Sequence, residues 1–168
     1  MTKIGVDTSV LVGLFDTKDV WHEQAVALHT VLQSGNLEAV YFDCAIAEAI
    51  STLARRLHEK RRDAEFPVLL DQMQAQFPAD VITWILPDVP FLYDEVVNLV
   101  RSSTGELNFN DALMALACRE RDIPALASFD GDFDMISWLM RLASPEDVRQ
   151  LLAASERSAP DESNDTPG

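Results

Sequence analysis

Lysine is scarce in this chain. Only Lys3, Lys18 and Lys60 occur among 168 residues, and 13 Lys and Arg face 28 Asp and Glu. The formal charge of −15 excludes a broad cationic surface of the kind that grips nucleic acid regardless of sequence. Any contact with nucleic acid must come from a local basic patch or from a metal-rich site. Cysteine is nearly missing too. Cys44 and Cys118 stand far apart with no CxxC or Cys/His spacing, so they read as reduced thiols of a cytoplasmic protein. Apolar runs such as SVLVGLF and ALMALAC are far too short to cross a bilayer, so no membrane partner is expected. The start, MTKIGVDTS, lacks the charged, apolar and small-residue order of a signal peptide. No P-loop, GxGxxG or Ser/His/Asp order is present. His22 and His29 are seven residues apart, a spacing foreign to paired metal ligands.

What is there suits one domain. Hydrophobic residues make up 48% and mean hydropathy is near zero, enough to bury a single core. The domain is assigned to residues 1–155. Residues 156–168, rich in Ser, Pro, Asp and Glu with a net charge of −3, read as a disordered acidic tail. Lys3–Val6 is a short apolar strand ending at Asp7, and Val10–Phe15 a short buried helix. Asp19 is placed to cap the next helix, with Trp21, Ala25, Leu28 and Leu32 as its apolar stripe and Gly35-Asn36 as its end. Glu38–Phe42 is a second strand, and Asp43 a cap for a long helix over 44–62. In that helix Ile46, Ile50, Leu53 and Leu57 form one stripe, while Glu48 lies opposite with Ser51, Arg55 and Arg62. A helix over 63–77, a strand over Val81–Leu86 and a helix opened by Pro90 follow. Asp111 sits in the first turn of a further helix, Ala125–Phe129 is a strand, and Ser144-Pro145 starts a last helix. Strands alternating with helices predict an α/β fold with a parallel sheet covered on both faces.

Ligands of open parallel sheets bind beyond the carboxyl ends of the strands. Asp7 follows the first strand and Asp130 the strand at 125–129, while Asp111 and Glu48 start helices near the same edge. Singly, each acid has an ordinary explanation. Asp111 suits a helix N-terminus, Glu48 a solvated helix face, and Asp132 in FDGDF a turn. Asp7, with apolar neighbours on both sides, is the least ordinary. Together they raise a physical problem, because carboxylates ~4 Å apart repel by roughly 4 kcal/mol per pair at an effective dielectric near 20. Cations or bound protons must relieve that repulsion. An all-oxygen site of this kind suits Mg²⁺ or Mn²⁺.

The segments IGVDTSVLV, CAIAEAIS, NFNDALMALA and LASFDGDF resemble, in content and order, those of PIN-domain ribonucleases, most closely the VapC-type toxins of toxin–antitoxin pairs. The resemblance spans about Lys3 to Leu142. It implies a three-layer α/β/α PIN-like fold with a central parallel sheet. It also implies hydrolysis of RNA by a metal-activated water without a covalent intermediate. By this resemblance Asp7, Glu48, Asp111 and Asp130 are the metal-binding and catalytic acids, Asp132 is an auxiliary ligand, and Ser9 and Ser128 orient the acids. A homodimer and an antitoxin protein partner are implied as well. Separately, the apolar helices near the N-terminus, with Val20 and Trp21 as exposed candidates, are read as a surface for dimerisation or antitoxin binding. Arg55, on the face of Glu48, is the candidate contact for substrate phosphate.

Other chemistries fit less well. A haloacid-dehalogenase-like phosphatase needs a second acid two residues after Asp7, where Ser9 stands. A response-regulator receiver needs a lysine after a later strand, and none is placed there. The alternative from another class is a catalytically silent PIN-like module that binds a protein or RNA. The acid set speaks against it and the net charge speaks for it.

Overall fold

The computed structural model describes residues 1–34 and 36–158. Gly35, expected to close a helix, and the tail beyond Ser158 lie outside the described residues.

Five strands form one all-parallel sheet in the order β3-β2-β1-β4-β5. They are β1 (Thr2–Val6), β2 (Leu37–Phe42), β3 (Ile82–Thr83), β4 (Ala125–Ala127) and β5 (Met140–Leu142). The helices are α1 (Thr8–Phe15), α2 (His22–Leu32), α3 (Asp43–Glu59), α4 (Phe66–Gln76), α5 (Val89–Ser102), α6 (Phe109–Glu120) and α7 (Pro145–Ser158). Ile4, Val6 and the three residues of β4 are wholly buried although alternate side chains point to opposite faces, so both faces of the central strands are covered. This is the α/β architecture expected from the alternation of elements. At Gly5 a Cβ would stand 2.8 Å from Leu126 Cδ1 and 3.1 Å from Phe42 Cε2. Only glycine lets the strands and their cover approach so closely.

The chain crosses from one side of β1 to the other between β3 and β4, which makes the β1/β4 border the switch point of the sheet. Register sets Val6 opposite Ala127, and Asp7 N–H donates to Ala127 C=O at 3.0 Å. Asp7 and Ser128 therefore leave the sheet side by side. α6 is buried at every position from Asp111 to Cys118, as its run of small and apolar residues requires. Cys44 and Cys118 are free and buried.

Several expectations change. Asp19 does not cap α2, whose N-cap is Trp21 without a side-chain bond. Asp43 lies inside the first turn of α3 and accepts N–H bonds from Ile85 and Leu86 at 3.0 Å each. That contact replaces most of the long third strand, since only Ile82 and Thr83 pair with β2. α3 stops at Glu59, and Arg61 takes a positive φ of 56°. Arg62 thereby leaves the Glu48 face and bonds Asp16 and Glu65. β5 was not expected, because three residues with an arginine in the middle carry too little alternation to mark a strand.

Candidate active site

Asp7 is the N-cap of α1 in extended backbone. Its Oδ2 accepts three hydrogen bonds: from Ser9 Oγ at 2.7 Å, Ser128 Oγ at 2.8 Å and Ser9 N–H at 3.2 Å. Both serines continue the network. Ser9 Oγ accepts from Phe129 N–H, and Ser128 Oγ accepts from Asp130 N–H, each at 3.0 Å. The two hydroxyls thus fix Asp7 against the exit of β4. Asp130 in turn accepts from Asp132 N–H at 2.9 Å, capping a 3-10 turn over Gly131–Met135.

Asp111 sits at the third position of α6 in a capping box, donating its N–H to Asn108 Oδ1 and accepting the Asn108 N–H, both at 3.0 Å. Glu48, one turn into α3, is half-buried and accepts from Asn110 Nδ2 at 3.0 Å. Four elements therefore deliver Asp7, Glu48, Asp111 and Asp130 to one cleft with a volume of about 310 Å³. Ser9, Arg55, Arg56, Asp19, Trp21 and Phe129 share its walls. Ser128 is fully buried behind them. Asp132 is not on the cleft wall; its backbone serves Asp130 instead.

The electrostatics follow from this crowding. Burial, with the charges of Asp7, Glu48 and Asp130 adding to it, pushes the Asp111 carboxyl up to about 7 despite the Asn108 N–H that favours its charge. Burial likewise raises Asp7, outweighing its serine bonds. Among the described residues no ion pair reaches any of the four acids: Arg56 is held by Asp19, Arg62 by Asp16 and Glu65, and Arg55 on the cleft wall makes none. Such a set lacks a paired counter-charge. Its donors, all carboxylate oxygen with serine and asparagine behind them, match a hard divalent cation. Among the described residues no three His, Cys, Asp or Glu side chains are already drawn together into a coordinating cluster. The fit is therefore one of donor chemistry and shared location.

Four participants were not anticipated from sequence. Asn110 holds Glu48, and Asn108 holds Asp111. Asp19 bridges Arg56 Nη1 and the Trp21 N–H. Trp21, read both as part of the apolar stripe of α2 and as an exposed contact for a protein partner, stacks on Phe129 at the cleft. Only the Asn-x-Asn-Asp spacing at 108–111 could have signalled any of them, as a capping box with one asparagine to spare.

Two solved structures share the fold. The toxin VapC20 of Mycobacterium tuberculosis, described as cleaving the sarcin–ricin loop, aligns with a TM-score of 0.62 at 22% identity. The alignment covers 80% of this chain and 95% of that one. VapBC2 of Rickettsia felis, solved with a DNA fragment from its promoter, aligns with a TM-score of 0.59 at 14% identity. It covers 84% of this chain and 98% of that one. Comparison with curated protein sequences returns no significant match. No described helix is long and apolar enough to cross a membrane. The family model of the PIN domain matches residues 4–139, which takes in most of β1, all of β2, β3 and β4, and all four acids: the chain belongs to the PIN domain family.

Proposed function

We propose that this protein is a metal-dependent endoribonuclease that uses Mg²⁺ or Mn²⁺ held by Asp7, Glu48, Asp111 and Asp130. The observation that carries the reading is the convergence of these four acids, from four separate elements, on one cleft where, among the described residues, none of them is ion-paired to a cationic side chain. A bound divalent cation supplies Lewis acidity toward the phosphodiester and makes water acidic enough to attack near neutral pH. The chain's own residues fix the rest. Ser9 and Ser128 hold Asp7 in one rotamer by bonding a single oxygen. Asn110 restrains Glu48, and the capping box restrains Asp111. Arg55, exposed at the cleft and free of any ion pair among the described residues, is available to a substrate phosphate. Asp132, off the cleft wall, would serve as an auxiliary ligand only through movement of the 3-10 turn.

Likeness to VapC20 and VapBC2 supports a toxin role, with an antitoxin as protein partner. It supports the fold more firmly than the role. A homodimer is part of the proposal. Trp84, Leu86, Phe91 and Tyr93 are exposed within one segment, Phe91 at 87%, and apolar exposure of this kind marks contact surfaces. Sedimentation at the mass of one chain would remove the dimer.

The test of the site is calorimetric titration with Mn²⁺ beside cleavage of a mixed RNA pool. The wild type should bind and cleave, and Asp7→Asn with Asp111→Asn should lose both. Binding without cleavage would favour the second reading, a silent PIN-like module, which the charge of −15 supports. No binding by the wild type would end the nuclease reading.

A further inference from the structure

Trp21 and Phe129 stack with ring centroids 4.9 Å apart and planes 13° from parallel. The pair sits on the cleft wall beside the acids and Arg55. Trp21 keeps 43% of its surface exposed, although a tryptophan free to pack would bury far more. Besides Phe129, two contacts fix its backbone and Cβ. Its N–H donates to Asp19 Oδ1 at 2.8 Å, and Asp19 Oδ2 is held by Arg56 of α3. Its Cβ lies against Gly13 of α1, where an added methyl group would approach it to 3.4 Å. Phe129 is one residue from Asp130, and its N–H is bonded to the same Ser9 hydroxyl that grips Asp7. The aromatic pair is therefore tied in register to the acids through Ser9.

We propose that Trp21, backed by Phe129, is the platform on which an unpaired base of the RNA stacks next to the phosphodiester that is cut. The inference rests on the nuclease reading and narrows its substrate to RNA with a splayed, single-stranded nucleotide at the cleavage site. The physical need is clear in this chain. With so few cations, long-range attraction to phosphate is absent, and affinity must come from short-range contacts. Base–aromatic stacking is such a contact, insensitive to net charge and tolerant of base identity. A base already stacked inside a duplex cannot use it without first being extruded. Arg55 on the same wall would then meet the neighbouring phosphate.

The experiment uses the full chain, a single-stranded RNA 12-mer that the wild type cleaves, and a duplex of the same sequence. Trp21→Leu keeps an apolar side chain of fair size without a π face, and Trp21→Phe keeps the face. Trp21→Leu should raise KM for the 12-mer by roughly 5- to 100-fold, with Mn²⁺ binding unchanged. Trp21→Phe should recover most of the loss, and the duplex should be a poor substrate for all three. In a background silenced by Asp7→Asn, the 12-mer should quench tryptophan fluorescence, and Trp21→Phe should remove that quenching. An unchanged KM in Trp21→Leu, with Mn²⁺-dependent cleavage intact, would overturn the platform and leave the nuclease reading standing. If the wild type cleaves no single-stranded RNA, the nuclease reading fails and the platform falls with it. Cleavage by the wild type without quenching by the 12-mer overturns the platform alone.

Discussion

Asp111 has two tasks that oppose each other. Its carboxylate completes a capping box, which favours the charged form, while burial and three neighbouring acids favour the neutral one. The second influence prevails, with the folded-state value raised from 3.8 to about 7. The folded state thus holds this proton more tightly than the unfolded chain does. Stability from this source is complete below about pH 4 and is lost as the pH rises through 7. The metal-free protein should therefore melt at a lower temperature at pH 8 than at pH 5, and Asp7, shifted the same way by its own burial, adds to the trend. Asp111→Asn keeps an acceptor for the Asn108 N–H and removes the charge. It should raise the metal-free melting temperature at pH 8 by the equivalent of about 2 kcal/mol, roughly 4–8 °C, and abolish stabilisation by Mn²⁺. A scan showing no gain at pH 8 would mean the acids do not crowd one another in solution. At this scale the sequence was a good guide wherever an acid interrupts an apolar run. Asp7 stands between the apolar runs Ile4–Val6 and Val10–Phe15, and a strand end is where such a chain can bring a carboxylate to a cleft. It was a poor guide to Trp21, because periodicity marks an apolar residue as core whether it faces the core or a cleft.

Among the elements, the joint between α1 and the end of α3 rests on a buried ion pair. Asp16, the fully buried C-cap of α1, accepts from Arg62 Nη2 at 2.9 Å and from Lys18 N–H at 3.1 Å. Asp16 Oδ2 and Arg62 Nη1 find no partner, so the pair is only partly satisfied, and breaking it would leave one buried charge alone. Arg62→Met should lower stability by about 3 kcal/mol, seen as a melting temperature roughly 6–12 °C lower, with Mn²⁺ affinity retained because neither residue is on the cleft wall. A loss of metal binding at intact fold would contradict this separation. The same joint explains a misreading. Extending the α3 periodicity to Arg62 puts it in line with Glu48, yet the helix ends at Glu59 and the left-handed turn at Arg61 reverses its direction. Asp19 and Asp43 were misread for a related reason. An acid ahead of an apolar run looks like a local cap. Each does accept a nearby N–H, from Trp21 and Cys44, but neither is the N-cap residue and each also binds a distant partner, Arg56 and the 85–86 backbone. Helix caps are written in neighbouring residues and can be read there, whereas such long-range bonds leave no local pattern.

For the molecule as a whole, charge would govern the approach of the RNA proposed as substrate. A net −15 repels phosphate over a Debye length that shrinks from roughly 30 Å to 10 Å as ionic strength rises from about 0.01 to 0.1 M. The association rate with single-stranded RNA, followed by stopped-flow fluorescence at constant Mg²⁺, should increase across that range. A decrease, the usual behaviour of cationic binders, would show that Arg55 and its neighbours dominate the local field. Fold class was legible at this scale because alternation of strands and helices permits few arrangements. Of the sheet's two borders, β3 was read in place at 81–86 but proves only two residues long, and β5 is too short to leave a pattern. Those borders have a consequence for how the protein tolerates crowding. A foreign strand seeking to extend the sheet finds only two residues of β3 on one side and three of β5 on the other, beneath a surface of strong like charge. Templated β-aggregation needs a longer and more neutral ledge. A protein with blunt borders of this kind can be stored at high concentration, and copies that do meet must meet through side chains.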